Sequence, residues 1–107
     1  MSTPLDRDFD QLADHLRRLI GVLEEGEEDY WVRQLRRGLA DVEARRLTGA
    51  TQVLGCYGGE HTFSDLVIGK RWARHEPLRY RNLNARLVML RTETFEAANV
   101  IASRRHW

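Results

Sequence analysis

Apolar residues near the amino terminus recur in steps of three and four: Leu5, Phe9, Leu12, Leu16, Leu19, Ile20 and Leu23. At about 100° per residue they fall in one stripe roughly 100–120° wide, which predicts an amphipathic helix over 5–25. Thr3 can cap this helix with Pro4 at its first position, where a missing N–H leaves nothing unsatisfied. Asp6 and Asp8 then sit near the positive end of the helix dipole, and Gly26 supplies the stop. A second period begins at Glu28 and Asp29, with Trp31, Val32, Leu35, Leu39 and Val42 on one face. It predicts a helix over 28–48 that ends at Thr48-Gly49. Gly38 lies on the flank of that face, where the lack of a side chain lets another helix approach. The short connection between the two helices implies an antiparallel hairpin.

The middle of the chain is less regular. Residues 50–57 read as a short third helix with Val53, Leu54 and Tyr57 turned inward, broken by Gly58-Gly59. Residues 63–68 read as a further short helix, although Leu66-Val67-Ile68 also suits a short strand. Residues 66–81 mix apolar, basic and proline positions without a dominant period. The three-four step returns with Leu83, Leu87, Leu90, Thr94, Ala97 and Ile101, with Asn82 or Asn84 able to cap the start. This predicts a helix over 83–104. On its other side Met89 and Val100 project outward with Glu93 and Glu96 between them. The expected fold is all-α: a small irregular bundle of three main helices plus one or two short ones, forming one domain over residues 1–107.

Composition narrows the class. The chain has 107 residues, enough for one core and too few for two. With 42% hydrophobic and 31% charged residues, a packed fold with a well-solvated surface is expected. No apolar run approaches the ~20 residues a bilayer requires, and a secretory leader is not expected from the acidic first residues, which lack an apolar core. Cys56 is the sole cysteine, so no internal disulfide can form and a cytoplasmic location is expected. The formal net charge of +1 conceals an asymmetry. Residues 1–60 carry 12 acids against 8 bases, whereas residues 61–107 carry 4 against 9. The basic half makes an acidic or nucleic-acid partner worth weighing.

The one motif-like stretch is Gly58-Gly59-Glu60-His61-Thr62-Phe63-Ser64-Asp65-Leu66. Thr62 and Asp65 have the spacing of a capping box, in which each side chain satisfies a backbone N–H of the other residue. The paired glycines would let the chain leave one helix and enter the next. On that reading Gly58, Gly59, Thr62 and Asp65 are structural.

The same stretch resembles a set of small, poorly characterised bacterial helical proteins. Their shared features are an amino-terminal helical hairpin with a tryptophan early in its second helix, then a glycine pair followed by a small polar residue, an apolar residue, Asn or Ser, Asp, and an apolar residue. Here these positions are Trp31, Gly58, Gly59, Thr62, Phe63, Ser64, Asp65 and Leu66. The usual apolar residue and glycine are replaced by Glu60 and His61. Such proteins resemble immunity proteins encoded beside secreted antibacterial toxins. The resemblance therefore implies tight binding to a toxin that occludes its active or substrate-binding site, and it lends no catalytic residues.

Catalytic and metal readings find little support. Cys56, His61 and Asp65 could form a nucleophile, base and orienting acid. Cys56, however, falls near the end of a predicted helix, where the dipole disfavours a thiolate. The histidines at 15, 61, 75 and 106 show no ligand spacing, and Gly58-Gly59 lacks the residues of a phosphate loop. No metal, cofactor or enzymatic activity is expected. The run Lys70-Arg71-Trp72-Ala73-Arg74-His75, with Arg79, Tyr80 and Arg81 nearby, mixes aromatic and basic side chains. It suits a protein interface, where Trp, Tyr and Arg concentrate binding energy, or phosphate contact with base stacking. It also suits a solvated loop with Trp72 folded back as a core plug. The leading expectation is an immunity-type protein contacting its partner through Glu60, His61, Ser64, Arg71, Trp72, Arg74 and Tyr80. The rival is a small nucleic-acid-binding regulator using residues 70–86. A homodimer is compatible with either.

Overall fold

The computed structural model describes residues 3–58 and 63–104. The chain folds into helices α1 (Pro4–Glu25), α2 (Asp29–Glu43), α3 (Leu47–Gly55) and α4 (Pro77–Arg104). Two 3-10 turns, Phe63–Asp65 and Lys70–Trp72, lie between α3 and α4. No strand occurs among the described residues, so the all-α expectation holds. No helix is long and apolar enough to cross a membrane among these residues.

The start of α1 forms as its sequence dictates. The Thr3 hydroxyl accepts from the Asp6 N–H, and the Asp6 carboxylate accepts from the Thr3 N–H, a reciprocal capping box with Pro4 behind it. The far end differs in detail. Gly26 has a right-handed conformation and the left-handed residue is Glu27, at φ 59°.

The second boundary is a correction. α2 stops at Glu43 instead of near residue 48, because Arg45 adopts φ 60° and its N–H donates to the Val42 carbonyl. Thr48-Gly49, the expected stop, instead lies inside α3. Gly49 is there for contact: a Cβ on it would stand 2.8 Å from the Val42 amide nitrogen. Gly38 behaves as its position suggested, since a Cβ there would come within 3.0 Å of a Val53 methyl. The two glycines let α2 and α3 press backbone to backbone. α3 accordingly runs from Leu47 to Gly55, ahead of the expected 50–57, and Gly58 lies beyond its end.

Ion pairs give the helix directions. Arg36 meets Glu24, Arg17 meets Glu43 and Arg45 meets Asp6, so α1 and α2 are antiparallel. Arg104 meets Asp8, Arg86 meets Glu25, and His15 lies 3.4 Å from Glu93, so α4 also runs antiparallel to α1. α3 closes the ring by touching both α2 and α4. One buried cluster fills the centre, with Phe9, Leu12, Leu16, Leu19, Leu23, Leu35, Phe63, Ile68, Leu87 and Ile101 among its members.

α4 begins at Pro77, six residues before the start expected at 83. Asn82 and Asn84 therefore cap nothing. Asn84 instead uses its amide on the incoming chain: Oδ1 accepts from the Ile68 N–H at 2.9 Å and Nδ2 donates to the Ile68 carbonyl at 2.8 Å. Residues 66–68 form neither helix nor strand, and the Asn84 amide satisfies the two Ile68 backbone groups that a ladder would have paired. The buried stripe of α4 contains Ala98, with Ala97 only half-buried at its edge.

Candidate partner-binding surface

The described residues between α3 and Trp72 are tied to the helices by side chains reaching backbone atoms. The Phe63 N–H donates to the Cys56 carbonyl, closing the loop, and the Ser64 hydroxyl donates to the Tyr57 carbonyl at 2.9 Å. From α4, one Arg91 nitrogen donates to the carbonyls of Phe63 and Leu66 at 3.0 and 3.1 Å. The Tyr57 hydroxyl donates to the Arg91 carbonyl at 2.7 Å. Burial pushes the Tyr57 phenol well above its ordinary pKa, so it keeps the proton that this bond needs.

These ties assemble five aromatic rings into a continuous ribbon. Tyr30 meets Trp31 edge-on at 5.0 Å between centroids, and Trp31 meets Phe63 at 5.1 Å. Phe63 meets Tyr57 at 5.4 Å, and Tyr57 meets Phe95 at 5.1 Å. The spacings fall in the range where ring pairs attract beyond simple burial. The middle is held in the core, since Phe63 is wholly buried, while the ends emerge: Tyr30 is 56% exposed and Phe95 41%. An open depression of about 480 Å³ beside Phe95 is lined by Tyr57, Ser64, Arg91, Thr92 and Phe95. Val88, two turns before Phe95 on the same flank of α4, is also exposed.

Carboxylates mark the same surface. Most of the described acids meet an arginine, but Glu28, Asp29 and Asp65, together with Glu96 on another face of α4, have no ion-pair partner among the described residues. Glu28 and Asp29 precede Tyr30 at the amino end of α2, where the helix dipole also favours them. Asp65 ends the 3-10 turn that begins at Phe63.

Of the other residues singled out from sequence, Gly59, Glu60, His61 and Thr62 lie outside the described residues, and with them the Thr62–Asp65 capping box. Phe63–Asp65 is a single 3-10 turn and not the α-helix such a box would start. Trp72 is 9% exposed and so is the core plug. Its ring is covered by the guanidinium groups of Arg71 and Arg79, at 4.4 and 3.8 Å from the centroid. Gly69, at φ 67°, makes room for it: a Cβ there would lie 2.6 Å from the indole. Arg71 also pairs with Glu27 and Arg79 with Glu76. Arg74 is exposed and Tyr80 half-buried in the first turn of α4.

Burial raises the pKa of Cys56, whose thiol donates to the Gln52 carbonyl, whereas a nucleophile needs the opposite shift. Among the described residues no three His, Cys, Asp or Glu side chains converge as a metal site would require.

Sequence reasoning passed over Tyr30, Arg91 and Phe95. Val88 and Phe95 sit seven residues apart, a spacing that marks one helix face, but attention to the core stripe of α4 hid it. Arg91 gave no signal, because its partners are carbonyls supplied by the fold.

A family model described as "Domain of unknown function (DUF6966)" matches residues 24–76. The chain is similar to that domain over this span. It covers α2, α3 and the tied connection, including Trp31, Tyr57, Phe63 and Trp72, and stops before α4. No curated protein and no solved structure matches the chain.

Proposed function

We propose that this protein is an immunity-type binder that captures a toxin-like protein and covers its active or substrate-binding site, without catalysis of its own. The observation that carries this reading is the aromatic ribbon, fixed in the core at Phe63 and exposed at Tyr30 and Phe95. Aromatic side chains offer large contact area at small entropy cost, and a ribbon already ordered loses little freedom on binding. The carboxylates Glu28, Asp29 and Asp65 beside it suit a basic partner, such as the cleft of an enzyme acting on nucleic acid. They would speed encounter, while the desolvated rings would slow release. Trp72 is not available as an anchor, so that role passes to Tyr30 and Phe95.

The nucleic-acid reading draws less support. Arg71, Arg79 and Arg86 of the 70–86 stretch each already meet a carboxylate, which lowers the charge a phosphate backbone would encounter. The deciding experiment expresses the neighbouring open reading frame with and without this protein. The expected result is toxicity relieved by a copurifying complex. Replacing Tyr30 and Phe95 together by alanine should weaken that complex by about 30-fold or more while the protein stays folded, with a melting temperature lowered only by the loss of the two outer ring pairs. A toxic neighbour that stays toxic and does not bind would refute the proposal, and a salt-sensitive shift of DNA or RNA would favour the nucleic-acid reading.

A further inference from the structure

α4 carries a second exposed apolar line, on the flank away from the ribbon. Leu78, Met89 and Val100 are 66%, 52% and 48% exposed. They stand eleven residues apart. Eleven residues make very nearly three helical turns, so the three side chains lie along one edge of the 28-residue helix.

The spacing is symmetric about Met89, and the charges are symmetric to within one residue. Four residues after Met89 comes Glu93 and three before it Arg86; seven after comes Glu96 and eight before it Arg81. Glu96 has no ion-pair partner among the described residues, and neither does Arg81, although most acids and many arginines around them are paired. We propose that this edge binds a second copy of the chain, with the two α4 helices antiparallel across a two-fold axis at Met89.

In that arrangement a residue at a given distance after Met89 faces the partner's residue at the same distance before it. Leu78 meets the partner copy's valine at position 100, and the methionines meet each other on the axis. Side chains on one flank of the contact remain on that flank in the partner, as an antiparallel two-fold requires. Glu93 and Arg86 project on the flank nearer α1 and Arg81 on the opposite one, with Glu96 close to the contact line, at the edge of a depression it shares with Gln11 and His15 of α1. Glu96 therefore reaches the other copy's Arg81 at almost the same height, while Glu93 and Arg86 keep their own-chain partners His15 and Glu25 beside the contact.

The groove between α1 and α4 adds shape to the charge match. It is an open depression of about 560 Å³ lined by Arg18, Gly21, Glu25, Arg86, Met89 and Glu93, with Leu90 at its base. A Cβ placed on Gly21 would meet nothing within 4 Å, so the glycine leaves a notch beside Met89 that the incoming methionine can fill. The ribbon surface stays open, because Val88 and Phe95 project from the other side of α4. This dimer is independent of the proposed toxin binding, and each can fail alone.

The test is sedimentation equilibrium of the whole chain, with circular dichroism to verify folding. The wild type should sediment as a dimer. Met89→Glu should dissociate it at least tenfold more easily. Gly21→Leu, which fills the notch at an unstrained helical site, should do the same without lowering the melting temperature. Glu96→Arg should weaken the dimer, and Arg81→Glu added to it should restore it. A wild type that stays monomeric into the millimolar range would overturn the proposal, as would dimers indifferent to both Met89→Glu and Gly21→Leu. Failure of Arg81→Glu to rescue Glu96→Arg would overturn the antiparallel register.

Discussion

Replacing Asn84 by alanine tests whether side-chain recognition of the backbone holds the 63–72 connection on the bundle. The Asn84 amide both accepts from and donates to Ile68, at 2.9 and 2.8 Å, and donates again to the Tyr80 carbonyl. Ile68 is wholly buried, so Asn84→Ala leaves its N–H and C=O without these partners. An unsatisfied buried group costs about 1–3 kcal/mol. Both bonds are only part-buried, so water relieves some of the loss and about 2 kcal/mol is expected for the pair. Alanine's better helix propensity returns about 0.5 kcal/mol, for a net loss near 1.5 kcal/mol. In a chain of this size that lowers the melting temperature by roughly 10 °C. Thermal unfolding followed by circular dichroism gives the number, and hydrogen exchange at the Ile68 amide gives its location. Asn84→Asp retains the acceptor but sets a carboxylate against two carbonyl oxygens, so it should melt no higher than the alanine variant. A melting temperature within about 2 °C of wild type, with Ile68 still protected, would refute the reasoning.

The other predictions concern glycines, a phenol and a helix cap. One substitution should have opposite signs at two sites: Gly21→Ala, facing open space, should stabilise by about 0.5–1 kcal/mol, whereas Gly49→Ala should destabilise by about 1–3 kcal/mol through its collision with Val42, both read by denaturant unfolding. Tyr57→Phe should lose about 0.5–1.5 kcal/mol with its bond to the Arg91 carbonyl. Because the folded state holds the Tyr57 pKa above the unfolded value, its contribution is complete below pH ~10 and fades as the pH rises further; the variant's stability should fall less steeply there. Thr3→Ala should cost about 1 kcal/mol at neutral pH. Bonds from Thr3 hold the Asp6 pKa down, so their contribution is present above pH ~4 and lost as the pH falls through the folded value. The gap between wild type and Thr3→Ala should therefore narrow in acid urea titrations.

The helices were legible where one local rule sufficed. The period of α1, its Thr3 cap and Pro4 start are properties of neighbouring residues, so they could be read before any fold was known. The α2–α3 boundary was misread because Gly49 resembles a stop in sequence yet serves as a contact to Val42 in space. The start of α4 was misread for a related reason: Asn84 resembles a cap, but its partner is Ile68, sixteen residues earlier.

The candidate surface was legible only in part. The segment between α3 and α4 stood out by its glycine pair and its basic and aromatic run, and Tyr57, Phe63 and Ser64 lie in it. Which role Trp72 takes, contact or core plug, was not legible, because composition cannot tell an exposed tryptophan from one sealed by Arg71 and Arg79. Sequence alone determined that this chain is helical, and where its clearest amphipathic helix begins and ends, because periodicity and capping act over a few residues. Only the tertiary structure decided which rings join into a ribbon, which charges are left unpaired and which loop carbonyls Arg91 holds. Those are contacts between segments dozens of residues apart, and they exist only once the helices have packed.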